Sequence, residues 1–300
     1  MLDNLSILIQ APIFNVQLLI DGILVGSIFA LVAYGMALVW GVMNIINIAQ
    51  GEFVILGGYV GYYLGQAGIH PMFGVPVAAI VLFCFGWLLY RAVIFRVVGR
   101  DLFISILATF GISIILQQFM NEAFGADIRT ADSGLHTLLL FNGQVTVAMI
   151  KVVSFALVLV IGIVLIWFMR TSRMGQAIRA TSQNARAARI MGIDTERVYA
   201  FTFGLNAAIC GAAGALVAMT WVIHPFIGII YTVRAFMIVI IAGLGNIATV
   251  LIAGSGLGVA EFFAGFIFGA EFQAAFVFSL LVVILVGRRF WLARQRKVLS

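Results

Sequence analysis

The chain has 300 residues, 64% of them hydrophobic and 9% charged, with a mean hydropathy of +1.18. Soluble domains carry about 25% charged residues, so the composition excludes a soluble globular protein and defines an integral membrane one. Crossing the hydrocarbon core takes ~20 apolar residues as a helix, which leaves room for roughly eight to ten spans and no sizeable soluble domain.

The N-terminal stretch carries Asp3 and Asp21, and the first basic residue is Arg91. A secretory signal needs a positively charged start, so the first apolar segment is expected to remain in the mature protein. Apolar runs follow over 17–41, 52–69, 73–95, 101–121, 146–169, 198–222, 233–253, 254–270 and 272–288. They predict an all-α, polytopic membrane protein of about eight to nine transmembrane helices, with the joins at 41–52 and 253–256 as candidates for re-entrant turns.

Between the first two runs, "WGVMNIINIAQGEF" (residues 40–53) interleaves Asn44, Asn47, Gln50 and Glu52 with apolar side chains. On a helix turning ~100° per residue, Asn44, Asn47 and Gly51 share one face and Glu52 lies to its side. Two roles fit the amides equally: interhelical hydrogen bonding worth ~0.6–2 kcal/mol, or lining a translocation path. At the cytoplasmic start of a helix, Glu52 would be held by the helix dipole and free N–H groups.

Further along, residues 122–145 are polar enough to lie outside, as a plain connection or a partner site. Residues 170–197 differ, because Ala177, Ile178, Ala185, Ala188 and Met191 recur at helical spacing among arginines. This predicts a short amphipathic helix at the cytoplasmic face. Having no Trp or Phe, it makes a poor lipid wedge and a better docking element. Asn206, Asn246 and Glu261 add polar positions to later helices. A charge at the centre of a membrane helix costs at least ~2.5 kcal/mol, so Glu261 is expected to face the bundle interior, be protonated or sit near an interface.

Glycine pairs Gly22/Gly26, Gly57/Gly61/Gly65, Gly254/Gly258 and Gly265/Gly269 have the spacing of close-packed helix faces. "GSGLGVA" (residues 254–260) is expected to be either a helix break or such a packing surface. A weak internal symmetry relates Gly41, Asn44, Asn47, Gly51 and Glu52 to Gly243, Gly245, Asn246, Gly254 and Glu261. Cys84 and Cys210 sit alone in apolar stretches and predict packing roles. No phosphate-binding loop exists, since the only lysines, Lys151 and Lys297, do not follow the required glycines.

Arginines fall in three clusters: Arg91, Arg96 and Arg100; Arg170, Arg173, Arg179, Arg186, Arg189 and Arg197; and Arg288, Arg289, Arg294 and Arg296 with Lys297. The positive-inside rule puts all three in the cytoplasm, with the C-terminus inside, the N-terminus outside, and Arg129, Lys151 and Arg234 outside. The net charge of +6 therefore reports topology rather than nucleic-acid binding.

Two stretches resemble one known family. "VMNIINIAQGEFVILGGYVGYYL" (residues 42–64) resembles the N-terminal signature of ABC-transporter permeases for branched-chain and other hydrophobic amino acids, the LivH type, where an N-F-A-H-G-E-like run precedes a glycine-rich helix. Asn47, Ala49, Gly51 and Glu52 match, while Ile48 and Gln50 replace the aromatic and the histidine. "GQAIRATSQNARAARIMGID" (residues 175–194) is similar to that family's coupling segment. Ala187, Ala188 and Gly192 keep the spacing of the broader E-A-A-x-x-x-G loop, with Arg186 at its acidic position.

The resemblance implies one transmembrane permease domain over 1–300, with a coupling loop at about 170–197 and an external loop at about 122–145. It implies the bacterial inner membrane, a second permease subunit, two ATPase subunits and a periplasmic binding protein. It implies no enzyme activity and no cofactor of its own, ATP being bound by the partners. Arg179, Arg186, Ala187, Ala188, Arg189 and Gly192 would couple to the ATPase, and Asn44, Asn47, Gln50, Gly51, Glu52, Asn206, Asn246 and Glu261 are candidates for the path. Branched-chain amino acids are the first substrate choice, with urea, short amides and aromatic acids as others. The alternative is an ion-coupled secondary transporter using Glu52 or Glu261.

Overall fold

The computed structural model describes residues 8, 10–140, 143–243, 247–269 and 271–298. Helix α1, Pro12–Met43, opens on a proline, whose missing N–H costs nothing in a first turn, and ends at Asn44 in the left-handed conformation (φ 53°). At 1.5 Å per residue it runs ~48 Å, well beyond a ~30 Å hydrocarbon core. Helices α2, Gln50–Gln66, α3, Gly74–Ala92, and α4, Leu102–Phe124, follow. The Asp101 carboxylate caps α4 by accepting from Phe103 N–H at 2.8 Å.

Strands β1, Thr137–Leu140, and β2, Val145–Ala148, form an antiparallel hairpin, with Leu138 opposite Val147. Gln17 of α1 holds β2 by exchanging two 2.8 Å hydrogen bonds with the Thr146 backbone. Then come α5, Met149–Thr171, the short α6, Arg173–Gln183, and α7, Ala185–Ile190, then α8, Thr195–Thr220, α9, Gly228–Ala242, α10, Ile247–Phe268, and α11, Phe272–Val298.

Helices α1 and α8 form the centre. Their apolar windows are 83% and 89% buried, whereas those of α3, α4, α5 and α10 are between 22% and 33% buried and keep a lipid-facing side. Composition explains the difference for α8, whose run "GLNAAICGAAGALVAM" offers backbone rather than side chains. A Cβ on Gly211 would stand 2.6 Å from Ala78 O, and one on Gly214 2.7 Å from Gly58 N, so α3 and α2 press directly on it. In lipid this close approach supplies the dispersion contacts that hydrophobicity cannot.

Several expectations change. The spans at 233–253 and 254–270 are replaced by α9, which stops at Ala242 before Gly243 (φ 77°), and α10, continuous through the glycine run. The reason is packing: a Cβ on Gly22 would meet Val259 Cα at 2.5 Å, and one on Gly254 would meet Ala30 Cβ at 2.6 Å. "GSGLGVA" is thus a contact face of an unbroken helix. The amphipathic segment is split in two, because Asn184 is extended and its side chain accepts from Ala187 N–H at 2.9 Å, starting α7 afresh. Residues 44–49 are non-helical, so Asn44, Asn47 and Gly51 do not share a helix face.

Candidate functional site

After α1 ends, residues 44–49 turn back into the bundle. The Thr109 hydroxyl of α4 accepts from Ile48 N–H and reaches Ile46 O, both at 3.1 Å. Gln50 Nε2 then donates to Val32 O at 3.0 Å, a carbonyl roughly 16 Å back along α1 from its end. Glu52 is met by Gln117, which lies ~22 Å along α4. Glu52 therefore starts a helix as expected, but deep inside the helix bundle and not at its end. The hydropathy plot misses this because it cannot locate a helix start along the membrane normal.

A second half-helix meets it there. Residues 221–227, with Pro225, re-enter after α8, and Gly228 starts α9 against the start of α2. Gly51 N–H donates to Thr232 Oγ1 at 2.8 Å, and that hydroxyl donates to Ile48 O at 3.0 Å. At ~26 and ~22 Å, α2 and α9 are both short of a full span, and they leave toward opposite faces. Tyr63 of α2 meets Arg129 at 2.7 Å, whereas Phe236 of α9 stacks at 5.4 Å on Trp40 near the end of α1.

Each helix start carries roughly +0.5 of an elementary charge, and the two converge on the Glu52 carboxylate, which is fully buried. Its Oε1 accepts from Gln117 Nε2 at 2.7 Å, while Oε2 has no hydrogen-bond partner among the described residues. The natural counterpart of the α2 start is thus Gly228, and not the 243–261 region.

Beside the junction, Gln50 links three elements. Its Nε2 reaches Val32 O of α1 and, on α8, Asn206 Oδ1 at 2.9 Å and Cys210 Sγ at 3.0 Å; its Oε1 accepts from Asn47 Nδ2 at 3.2 Å. The structure therefore brings together Asn47, Gln50 and Asn206, with Gly51 and Glu52 next to them. Asn44 lies apart and exposed, and Asn246 lies outside the described residues.

Glu261 belongs to a different place. Arg234, expected in an outer loop, is the seventh residue of α9, and its Nε donates to both Glu261 oxygens at 2.9 and 3.1 Å. The two side chains are 14% and 4% exposed. They line a cavity of about 400 Å³ between α1, the segment 221–227, α9, α10 and the start of α11, walled by Phe29, Trp221 and Tyr231 with Gln273 beside them. The Arg234 guanidinium also lies 4.7 Å above the Phe29 ring, a cation–π contact. Sequence reasoning missed Arg234 as well as Thr232 and Gln117. The available signal was one arginine in "IIYTVRAFMIVII" and one glutamate in an equally apolar run, since opposite charges at such depth need each other.

On the arginine-rich face, α6 buries Gly175, Ile178 and Thr181 and keeps Arg179 outside. In α7 only Ala188 is buried, and Arg186, Ala187, Arg189 and Gly192 are exposed. Arg189 reaches back to Thr195 Oγ1 at 2.9 Å. Gly192, at φ 86°, closes the helix, with Ile193 N–H donating to Ala188 O at 3.0 Å. The tip then offers Ile190 and Met191, 79% and 81% exposed.

Apolar helices around a discontinuous pair, with ionisable groups held at depth, define a multi-pass membrane transport protein. The chain belongs to the family described as branched-chain amino acid transport system / permease component, whose pattern matches residues 18–286. It is 32% identical to the high-affinity branched-chain amino acid transport system permease protein LivH of Salmonella typhimurium, over 91% of this chain and 94% of that one. It is 29% identical to the corresponding permease protein BraD of Pseudomonas aeruginosa, over 91% and 93%. A solved structure, PsaBC from Streptococcus pneumoniae in complex with Fab, is similar at a TM-score of 0.49 and 11% identity over 95% of each chain, too weak a likeness to establish a common fold.

Proposed function

We propose that this chain is the membrane-spanning subunit of a binding-protein-dependent ABC importer, carrying branched-chain or related amino acids across a bacterial inner membrane. The observation that carries the energy-coupling part is the α7 tip, where Ile190 and Met191 stand in solvent among Arg186, Arg189 and Arg179. Two adjacent, nearly bare apolar side chains ringed by arginines have the make-up of a partner-binding patch. The partner in this reading is an ATPase subunit, with its cleft taking the apolar tip and its acidic groups meeting the arginines. Gly192 and Ala188 set the shape of that tip.

ATP is bound and hydrolysed by two such subunits, a second permease subunit completes the pathway, and a periplasmic binding protein delivers substrate to the opposite face. The arginine face is then cytoplasmic, the N-terminus outside and the C-terminus inside. The amide cluster at Gln50, Asn47 and Asn206 fixes the helices around the junction, and Glu52 neutralises it.

The test is to co-express the whole transporter with Ile190→Asp and Met191→Asp together. Both side chains are exposed, so folding should be kept while ATPase co-purification and ATP-driven leucine uptake fall at least about tenfold, as expected when an apolar anchor is lost from an interface. Unchanged co-purification would overturn the docking assignment. Gradient-driven uptake by this chain alone, without ATPase, would favour a secondary transporter instead.

A further inference from the structure

We infer that the cavity at Arg234 and Glu261 is a binding site for a zwitterionic α-amino acid with an apolar side chain. The assignment rests on the amino-acid importer reading and gives it a location. Four observations support it.

First, the ion pair leaves four of the guanidinium's five N–H donors over. Only Arg234 Nε bonds Glu261, in a side-on arrangement, and the Nη groups, with four N–H donors, make no hydrogen bond to the described residues. A guanidinium with its outer edge unspent is suited to a carboxylate, which it can hold bidentately. Second, a carboxylate lies within one side chain's width of those donors. Glu261, the negative partner, can take an ammonium group while Arg234 takes the carboxylate, so the pair matches both ends of an amino-acid backbone and neither end alone.

Third, the space is right. About 400 Å³ lies within the ~300–1,000 Å³ typical of small-ligand sites. Apart from the Gln273 amide, its remaining wall is largely apolar and aromatic: Phe29 stacked on Trp221 at 5.8 Å, with Tyr231, Val25 and Ile230 beside them. Such a wall takes a branched aliphatic side chain and holds no charged group beyond Arg234 and Glu261 to pair with a second ammonium or carboxylate. Fourth, the cavity has an approach. Trp221 and Val222 belong to the segment after α8, whose next residue, Ile223, pairs with Arg129 through two backbone hydrogen bonds at 2.8 and 3.0 Å. That end lies opposite the arginine-rich face, the side from which an importer receives its substrate.

An ion pair serving only stability is a poor explanation. Replacing a buried pair by apolar residues is often neutral or stabilising, so charge retained beside an open cavity asks for something else to bind.

The experiment uses the complete transporter in proteoliposomes, in a Cys84→Ser background that removes the exposed thiol and leaves only the buried Cys210. Val222, which lines the cavity and is 43% exposed, becomes the reporter as Val222→Cys. Saturating leucine should slow maleimide alkylation of this cysteine about tenfold, whereas 4-methylpentanoate and 3-methylbutylamine, each lacking one charged group, should not at the same concentration. Arg234→Gln and Glu261→Gln should each raise the leucine concentration needed for half-protection by about 10- to 100-fold, the range of a lost charge-assisted hydrogen bond. A complex that imports leucine yet shows no protection, or equal protection by either analogue, overturns the site and leaves the importer reading standing. Protection with unchanged half-concentration in both variants also overturns it. Absence of leucine uptake by the unsubstituted complex overturns the importer reading itself, and the assignment with it. The reporter does not depend on the ion-pair variants folding.

Discussion

Replacing Gly51 by alanine tests whether the two half-helices hold each other at the membrane centre. A Cβ there overlaps the Gly228 carbonyl and stands 2.9 Å from Thr232 Oγ1. Backbone cannot swing aside as a side chain can, so relief requires α9 to withdraw from α2 by about an ångström or more to reach ordinary ~3.5–4 Å contact. That movement breaks the Gly51–Thr232 and Thr232–Ile48 hydrogen bonds, each worth ~0.5–1.5 kcal/mol. Overpacking adds ~1–3 kcal/mol. The total, about 2–6 kcal/mol, is a large share of a typical ~5–15 kcal/mol. Thermal unfolding in detergent can be followed by a thiol-reactive fluorogenic dye in the Cys84→Ser background, because Cys210 is buried beside Gln50 and reports opening of this region. Gly41→Ala is the control: no atom lies within 4 Å of its Cβ, and alanine gains ~0.5–1 kcal/mol over glycine in a helix. Should Gly51→Ala melt at the unsubstituted temperature, the contact does not organise the centre and the reasoning is refuted.

Glu52→Gln keeps the shape and removes the charge that faces two helix starts, so it should cost ~1–2 kcal/mol; equal melting temperatures for the two proteins would show that the dipoles do not need it. Gln50→Leu and Asn206→Leu should be coupled, with a double-mutant cycle in detergent unfolding giving an interaction of ~0.6–1.7 kcal/mol; additive effects would contradict the hydrogen bond between them. Gly192→Ala meets nothing within 4 Å but must hold φ 86°, a strain of ~1–2 kcal/mol. It should loosen α7 and weaken ATPase co-purification without moving the global melt, and a lowered melting temperature would mean that the strain is not local.

Much of the architecture was legible because long apolar runs carry length information. The runs at 17–41, 101–121, 146–169 and 198–222 correspond to α1, α4, α5 and α8 within a few residues at most ends, although α1 extends earlier. Depth was not legible, because the joins 42–51 and 223–232, left outside the predicted spans, give no sign that residues 44–49 and 221–227 turn back inside the bundle. Glycine was ambiguous for the same reason. Gly254 and Gly258 are compatible with a break or a contact face until Gly22 and Gly26 are seen opposite them. In the site, Gln50, Asn206 and Glu52 stood out as polar residues in apolar sequence, but their grouping depends on residues 156 apart meeting. Ala188, named with the coupling residues, is buried, so an acid there would disturb the fold, whereas Ile190 and Met191 are exposed and report docking.

The shared origin of α2 and α9 has a mechanical consequence. Two rigid rods leaving one point toward opposite sides of the bilayer form a see-saw whose pivot is the glycine contact. A tilt of about 10° about that pivot carries the far end of a ~22 Å rod by ~4 Å, enough to admit or expel a side chain. Were both rods to tilt together, the space beside them would narrow at one end as it widened at the other. Glycine at the pivot lets the rods turn with no side chain to catch, and the Thr232 hydroxyl, hydrogen-bonded to both, keeps them from separating as they move.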